Sequence, residues 1–461
     1  MDKQRRMCYT KCSMLKGVIW VKRWICGILA ALMLVAAAPL SFAEPATDDE
    51  MQSVPEVAAQ SVVLMSLDTG AIIYEKNANE RIHPASTTKI MTLIVALENC
   101  KDMDASVTVS DTYDDDLVVG STSINLKEGE QIALTDLLYA VAVSSANDAA
   151  NVLAEHIGGS VENFISMMNQ KAKAIGAKNT HFSNAHGLTA EQHYTTAHDM
   201  AKLMEYGLEV DMFRTLLSTY ARTIPATNMS GRRVISTTNS LISQVSSNYF
   251  KYACGGKTGT TTPAGYNLVS WASKSGENFI CVAMHADKES HSSNPIFSDS
   301  RDLYNWAFDS FSLQQIINVN DPQTEVPVEL SAEKDYVVLT AAEDLSAVLP
   351  NNTDLSTLTY ELNVPEQVMA PISTGDEIGE VTISKDGVVY GKTKLLAKED
   401  ISRSTVLYYL YCIKKFVSNI WVQIIGGILL LLLIIYVIAT IRRNRRRRRR
   451  RRVRLKPRIR Y

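Results

Sequence analysis

Cysteine is scarce where it would matter. Of the seven in 461 residues, Cys8, Cys12 and Cys26 precede residue 44, Cys412 adjoins a long apolar run, and Cys100, Cys254 and Cys281 occupy the body of the chain. Three such residues allow at most one intramolecular bridge, which excludes a disulfide scaffold. Cys254 reads as a small buried strand residue. No His-Glu-x-x-His motif occurs, and the pairs His181/His186 and His193/His198 are five apart, so on a helix they point to different faces. These histidines read as structural, and no metal site is expected. The Gly-rich stretch Cys254-Gly255-Gly256-Lys257-Thr258-Gly259 lacks the spacing of a phosphate-binding loop. No internal repeat is present.

Acidic residues are absent from one end. Residues 442–461 carry fourteen Lys/Arg and no acid, residues 1–43 carry seven Lys/Arg and one acid, and residues 44–441 therefore hold −22 within a total of −2. An acidic body between two basic ends points to a membrane address rather than to nucleic acid. The first basic region ends at Lys22-Arg23 and is followed by the apolar run Trp24 to Leu40 and by Ser41-Phe42-Ala43. This is the grammar of a signal peptide, with cleavage expected after Ala43. Near the other end, Ile420 to Ile441 gives 22 residues without a charge, enough to span a bilayer. Arg442, Arg443 and Arg445 to Arg452 follow at once, which places that end in the cytoplasm beside anionic headgroups and the body of the chain outside.

Three short motifs carry the chemistry. Ser86-Thr87-Thr88-Lys89 pairs a hydroxyl with an amine at i+3, on one helical face, where a lysine can activate a serine. Ile90, Met91, Ile94 and Leu97 follow at helical spacing, so Ser86 is expected to open a helix with a buried face. Lys89 then sits against protein, where desolvation lowers its pKa. In the second motif, Ser145-Ala146-Asn147 between two apolar helical runs, Ser145 can relay a proton and Asn147 can hold a substrate amide. The third, Lys257-Thr258-Gly259-Thr260, reads as a Gly-rich edge strand that a substrate backbone can approach, followed by the buried run Tyr266 to Ala272. Taken singly, each motif is also compatible with a helix cap, a polar turn or a plain strand.

Together with Asn184-Ala185-His186-Gly187-Leu188 and Tyr194-Thr195-Thr196-Ala197-His198-Asp199-Met200, the three motifs make the chain resemble the serine D-alanyl-D-alanine carboxypeptidases, the low-molecular-mass penicillin-binding proteins. The resemblance runs from about Val57 to Phe311 and more weakly to about Lys398. It implies that Ser86 is acylated, that Lys89 is its general base, and that Ser145 and Asn147 complete the proton relay and substrate contacts. Lys257, Thr258 and Gly259 would line the cleft. The oxyanion is expected on the backbone N–H groups of Ser86 and Thr260. No cofactor is implied. The substrates would be peptidoglycan stem peptides losing their terminal D-alanine, with β-lactams as covalent inhibitors. Members usually carry an Arg before the Phe matched here to Phe297, and this chain has Ile296.

Two other functions share this grammar. A class A β-lactamase adds a Glu-x-x-Leu-Asn pattern, and none occurs between Asn147 and Lys257. An inactive wall-binding scaffold would not require all three motifs. The expected fold is α/β (α+β), a β-lactamase/penicillin-binding-protein-like sheet with a helical cluster, followed by a small β-rich domain and one transmembrane helix. Ser61 to Met65 and Ala71 to Tyr74 read as a hairpin, Leu134 to His156 and Val161 to Ile175 as helices, and Gly265 to Ala286 as strands. The expected division is a signal peptide (1–43), a flexible start (44–56), a catalytic domain (57–315), a β-rich domain (316–400), a juxtamembrane interfacial segment (401–419), a span (420–441) and a basic tail (442–461).

Overall fold

The computed structural model describes residues 53–287, 294–385 and 387–454. The expected signal peptide, most of the flexible start and the last seven residues of the basic tail lie outside them. The chain runs through β1 (Ser61–Ser66), β2 (Ile72–Lys76), a 3-10 turn over Ala85–Thr88, helix α1 (Lys89–Asn99), and the short strands β3 (Ser106–Thr108) and β4 (Gln131–Ala133). Helices α2 (Leu134–Tyr139), α3 (Asn147–Gly158), α4 (Val161–Ile175), α5 (Ala197–Gly207) and α6 (Asp211–Ser218) follow. The hairpin of β5 (Ala221–Ile224) and β6 (Arg233–Ser236) leads to β7 (Ala253–Thr261), β8 (Gly265–Lys274), β9 (Glu277–Ala286) and helix α7 (Ile296–Ser310).

Strands from both ends of this region meet in one antiparallel sheet, ordered β2-β1-β9-β8-β7. Side chains alternate across a strand, so a central strand must be apolar on both faces. β1 meets that demand. Val63 and Met65 join the helical cluster with Ile90, Leu93 and Leu153, while Val62 and Leu64 join Ile296, Leu303 and Tyr304 of α7. The sheet thus lies between two cores, and β7 is left as an open edge.

Two local expectations need correction. Ser86 does not open the α-helix: it lies in the 3-10 turn, and α1 begins at Lys89. Leu134 to His156 is not one continuous helix. After α2 the chain widens into a π-type turn over Ala140–Ser144, ends in the left-handed region at Ser145 with φ of 62°, and restarts as α3. The apolar periodicity continues across the break, so the pattern conceals it.

After α7 the chain becomes strand-rich, with β10 (Phe311–Ile317), β11 (Pro322–Glu329), β12 (Tyr336–Ala341), β13 (Leu345–Pro350), β14 (Thr359–Asn363), β15 (Val368–Met369), β16 (Glu377–Lys385) and β17 (Val388–Ala397). β10 pairs with β13, and the other six form a sheet ordered β14-β16-β17-β12-β11-β15. These strands own a third core, built on Val326, Val337, Leu339, Val381, Ile383 and Leu395. Helix α8 (Thr405–Ser418) exposes Tyr409, Leu410, Ile413 and Phe416, and helix α9 (Ile420–Arg454) is long and apolar enough over Ile420–Arg448 to cross a membrane.

Tyr304 ties α7 to the sheet. Its fully buried hydroxyl accepts from the Cys281 N–H at 3.1 Å and bonds the Ser270 hydroxyl at 2.9 Å. Tyr304→Phe strands two buried polar groups and is expected to cost about 1–3 kcal/mol in denaturant unfolding. Stability equal to the parent's would show that Ser270 and Cys281 find other partners.

Candidate active site

The Lys89 side chain has no solvent exposure. Its helix begins there, and the following Ile90, Met91, Leu93 and Ile94 are drawn into the core, so the first turn goes in with them. The buried amine meets three oxygens: Ser86 Oγ at 3.0 Å, Asn147 Oδ1 at 2.7 Å and the His186 carbonyl at 2.6 Å. Burial pushes its pKa well below 10.5, the nearby Lys257 lowers it further, and Asp148 opposes the shift. A neutral amine at that distance can take the proton of a serine hydroxyl.

A second lysine enters from the edge strand. Lys257 is also fully buried, and its Nζ donates to Ser145 Oγ at 2.9 Å and to the Thr258 carbonyl at 3.0 Å. Burial lowers its pKa to about 7. The break before α3 explains how Ser145 meets it: the left-handed residue ends one helix, and Asn147 begins the next. Residues two apart on either side of a helix break can therefore serve two different lysines, Ser145 facing Lys257 and Asn147 facing Lys89.

Close backbone contacts hold the Ser86 turn. A Cβ on Gly259 would lie 2.8 Å from the Pro84 carbonyl and 2.9 Å from the Ser86 and Thr87 nitrogens, so only glycine lets β7 reach the turn. From the other side Gly187, with φ of +95°, lies so close that its Cβ would sit 2.0 Å from the Ala85 carbonyl. Ala85 itself has φ of 47°, a conformation that a non-glycine residue adopts at a cost. Beneath the turn, His193 Nδ1 accepts from the Ser183 N–H at 2.9 Å, which leaves Nε2 to donate to Thr88 Oγ1 at 2.8 Å. Burial drops the His193 pKa to about 3, so the ring is a neutral strut.

All eight residues singled out in the sequence fall on two facing segments and the break opposite them. Ser86 and Lys89 lie on the turn and α1, Ser145 and Asn147 at the break, and Lys257, Thr258, Gly259 and Thr260 on β7. Thr258 Oγ1 is 2.5 Å from Thr238 Oγ1, a partner that the sequence did not indicate. Nor did it indicate Asp116, whose Oδ2 lies 2.9 Å from His186 Nε2. Asp116 ends the run Asp114-Asp115-Asp116, which reads as a solvated loop. Ile296 is fully buried at the start of α7, and Arg301 pairs with Asp302 at 3.2 Å. Ile296 carries no charge and Arg301 is engaged by Asp302, so the basic side chain that reaches Ser145 is Lys257. Among the described residues no group of three or more His, Cys, Asp or Glu side chains could hold a metal ion.

Known proteins resemble this chain in sequence and fold. A family model described as D-alanyl-D-alanine carboxypeptidase matches residues 48–288, and one described as the C-terminal domain of penicillin-binding protein 5 matches 311–403. The D-alanyl-D-alanine carboxypeptidase DacF of Bacillus subtilis is 31% identical over 393 residues, covering 85% of this chain and 97% of its own. The DacC enzyme of Escherichia coli is 31% identical over 79% of this chain and 88% of its own. Crystal structures of penicillin-binding protein 5 from Haemophilus influenzae superpose with a TM-score of 0.64 at 29% identity, over 76% of this chain and 99% of theirs. With a buried lysine against a serine at the edge of the same sheet, and relatives matched over nearly their full length, the chain belongs to the D-alanyl-D-alanine carboxypeptidase family of penicillin-binding serine hydrolases, enzymes of the bacterial cell wall.

Proposed function

We propose that Ser86 is the nucleophile that removes the terminal D-alanine from peptidoglycan stem pentapeptides, with Lys89 as its base. The observation that carries this reading is the 3.0 Å contact between a fully buried amine and the Ser86 hydroxyl. Ser86 Oγ attacks the penultimate D-alanine carbonyl as its proton passes to Lys89. The oxyanion lies on the Ser86 and Thr260 N–H groups, a reading supported by the contact that Gly259 makes with the Ser86 turn. Collapse of the intermediate breaks the peptide bond, and the departing D-alanine nitrogen takes its proton through Ser145 from Lys257. Water then attacks the acyl ester, passing one proton through Ser145 to Lys257, and Ser86 Oγ leaves with the proton held on Lys89. Both lysines regain their starting states, while the new carboxyl group loses its proton to the freed D-alanine amine. Asn147 holds the substrate amide, and Thr258 and Lys257 face its terminal carboxylate.

β-Lactams enter as substrate mimics and acylate Ser86. The missing Glu-x-x-Leu-Asn leaves their ester without the base that drives rapid hydrolysis in class A β-lactamases. The wild-type chain is expected to release D-alanine from a D-Ala-D-Ala-terminated peptide and to hold labelled penicillin as a lasting adduct. Ser86→Ala should do neither, and Lys89→Ala should lose at least about 100-fold in acylation. Fast turnover of the penicillin would make the protein a β-lactamase instead.

The two lysines set the pH response. Lys89 acts when neutral, so kcat/KM rises with pH as its proton leaves, well below the 10.5 of a free lysine. Lys257 acts when charged, and in the free enzyme it loses its proton at about 7. KM should therefore climb above about pH 7, while kcat, measured with the substrate carboxylate holding that proton in place, falls only at higher pH. Rates flat from pH 6 to 9 would remove Lys257 from carboxylate recognition.

For topology, the reading is one crossing by α9 after loss of residues 1–43, with the catalytic part outside and Arg442 onward inside. The exposed apolar face of α8 lies in the interface between them. Truncation after Asp400 is then expected to release an active enzyme into the soluble fraction. Sedimentation of that form with membranes would place a second anchor upstream.

A further inference from the structure

A strap of chain, residues 110–126, runs along helix α3 and is tied to it at three levels. The Asn147 N–H donates to the Thr122 carbonyl at 2.8 Å, and the Asp148 carboxylate accepts from the Ser123 hydroxyl and from the Ile124 and Leu126 N–H groups at 2.6–3.2 Å. Asn151 Nδ2 donates to Asp116 Oδ1 at 2.7 Å and to the Tyr113 carbonyl at 3.2 Å. Glu155 accepts from the Ser110 hydroxyl at 2.5 Å. The side chains at 148, 151 and 155 are three and four apart, so one face of α3 holds the strap.

At its middle anchor the strap also reaches a different element. Asp116 Oδ2 is 2.9 Å from Nε2 of His186, whose ring is almost wholly buried. His186 Nδ1 accepts from the Leu188 N–H at 3.1 Å, so the ring proton is on Nε2 and is donated to Asp116. Burial lowers the His186 pKa, and the histidine hydrogen bond lowers that of Asp116, which together describe a neutral ring held by a carboxylate. Both ring nitrogens are thus fixed. The main-chain carbonyl of the same residue receives the Lys89 amine at 2.6 Å.

We propose that Asp116 is a positioning residue for acylation: by clamping the His186 ring it fixes the carbonyl that aims the Lys89 amine at Ser86. The inference rests on the roles given above to Ser86 and Lys89. The ring is no proton relay, because the contact with Lys89 runs through the main chain. Without Asp116 the buried Nε2–H loses its acceptor, the ring is free to turn, and the peptide carrying the carbonyl turns with it. A shift of an ångström at a base costs about 100-fold in rate. Asparagine at 116 should restore the clamp. Its Oδ1 can accept from His186, while its Nδ2 replaces the oxygen that met Asn151, so the contact with α3 is lost and the one with the ring is kept.

The test uses the full chain in detergent, labelled penicillin for the acylation rate, and a D-Ala-D-Ala peptide for kcat and KM. Asp116→Ala is expected to lose about 10- to 100-fold in acylation rate and kcat with KM nearly unchanged, and Asp116→Asn to return to within about 3-fold of wild type. Ser110→Ala loosens the same strap away from His186 and should keep the wild-type rate. Acylation by Asp116→Ala within about 2-fold of wild type overturns the proposal, as does an equal loss in Ser110→Ala, which would trace the effect to the strap's general stability. Should Asp116→Ala fail to fold, Asp116→Glu decides: it keeps the charge but moves it by one methylene, so a fall in kcat at unchanged melting temperature supports the clamp and an unchanged kcat overturns it. A wild-type chain that takes no penicillin would refute the reading of Ser86 and Lys89, not the clamp.

Discussion

Burying a lysine amine is expensive, and the region around Lys89 is organised by that cost. Desolvation disfavours its charged form, and hydrogen bonds to three oxygens compensate for the water it has lost. Each oxygen comes from a different part of the chain: the turn before α1, the first residue of α3, and the loop at His186. Moving any of these elements leaves the amine short of a partner deep in the protein. The same contacts that define the chemistry therefore define how the helical cluster sits against the sheet.

The open edge of the sheet follows from similar reasoning. β7 must lie flat against the Ser86 turn while keeping one side free, and Gly259 permits the first while the strand order secures the second. Strain gathers at the same place. Ala85 and Ser145, both non-glycine residues with positive φ, adjoin or belong to the motif positions, Ala85 packed against Gly187 and Ser145 bonded to the buried Lys257. A left-handed Ser145 is the reason a short Ser-Ala-Asn segment can address two lysines at once.

How much of this could be read from the chain depends on the range of the interaction. Ser86 and Lys89 are neighbours in sequence, and each motif adjoins an apolar run whose period is plain, so the sheet, the helical cluster and the β-rich region were legible. The interruption at Ala140–Ser144 was not, because Val141 and Val143 stay buried through it and the apolar pattern never lapses. Asp116 was not legible for a different reason. It closes a run of aspartates that looks solvated, and only the fold brings a carboxylate from residue 116 to a histidine 70 positions later.

The C-terminal part obeys a length constraint. Helix α9 has 35 residues, about 52 Å at 1.5 Å per residue, whereas the hydrocarbon of a bilayer is about 30 Å thick. Its charge-free portion of 22 residues, about 33 Å, matches that thickness, and the arginines begin where the match ends. The helix cannot slide toward the arginine end without drawing charge into hydrocarbon. In the other direction it meets α8, which begins a few residues after β17 and whose exposed aromatic and aliphatic side chains suit a headgroup boundary. Along the chain the strand-rich region, with a core of its own, separates the site residues from α8. Neither apolar helix adds a partner to the Lys89 amine, whose three oxygens come from the turn before α1, from α3 and from the loop at His186.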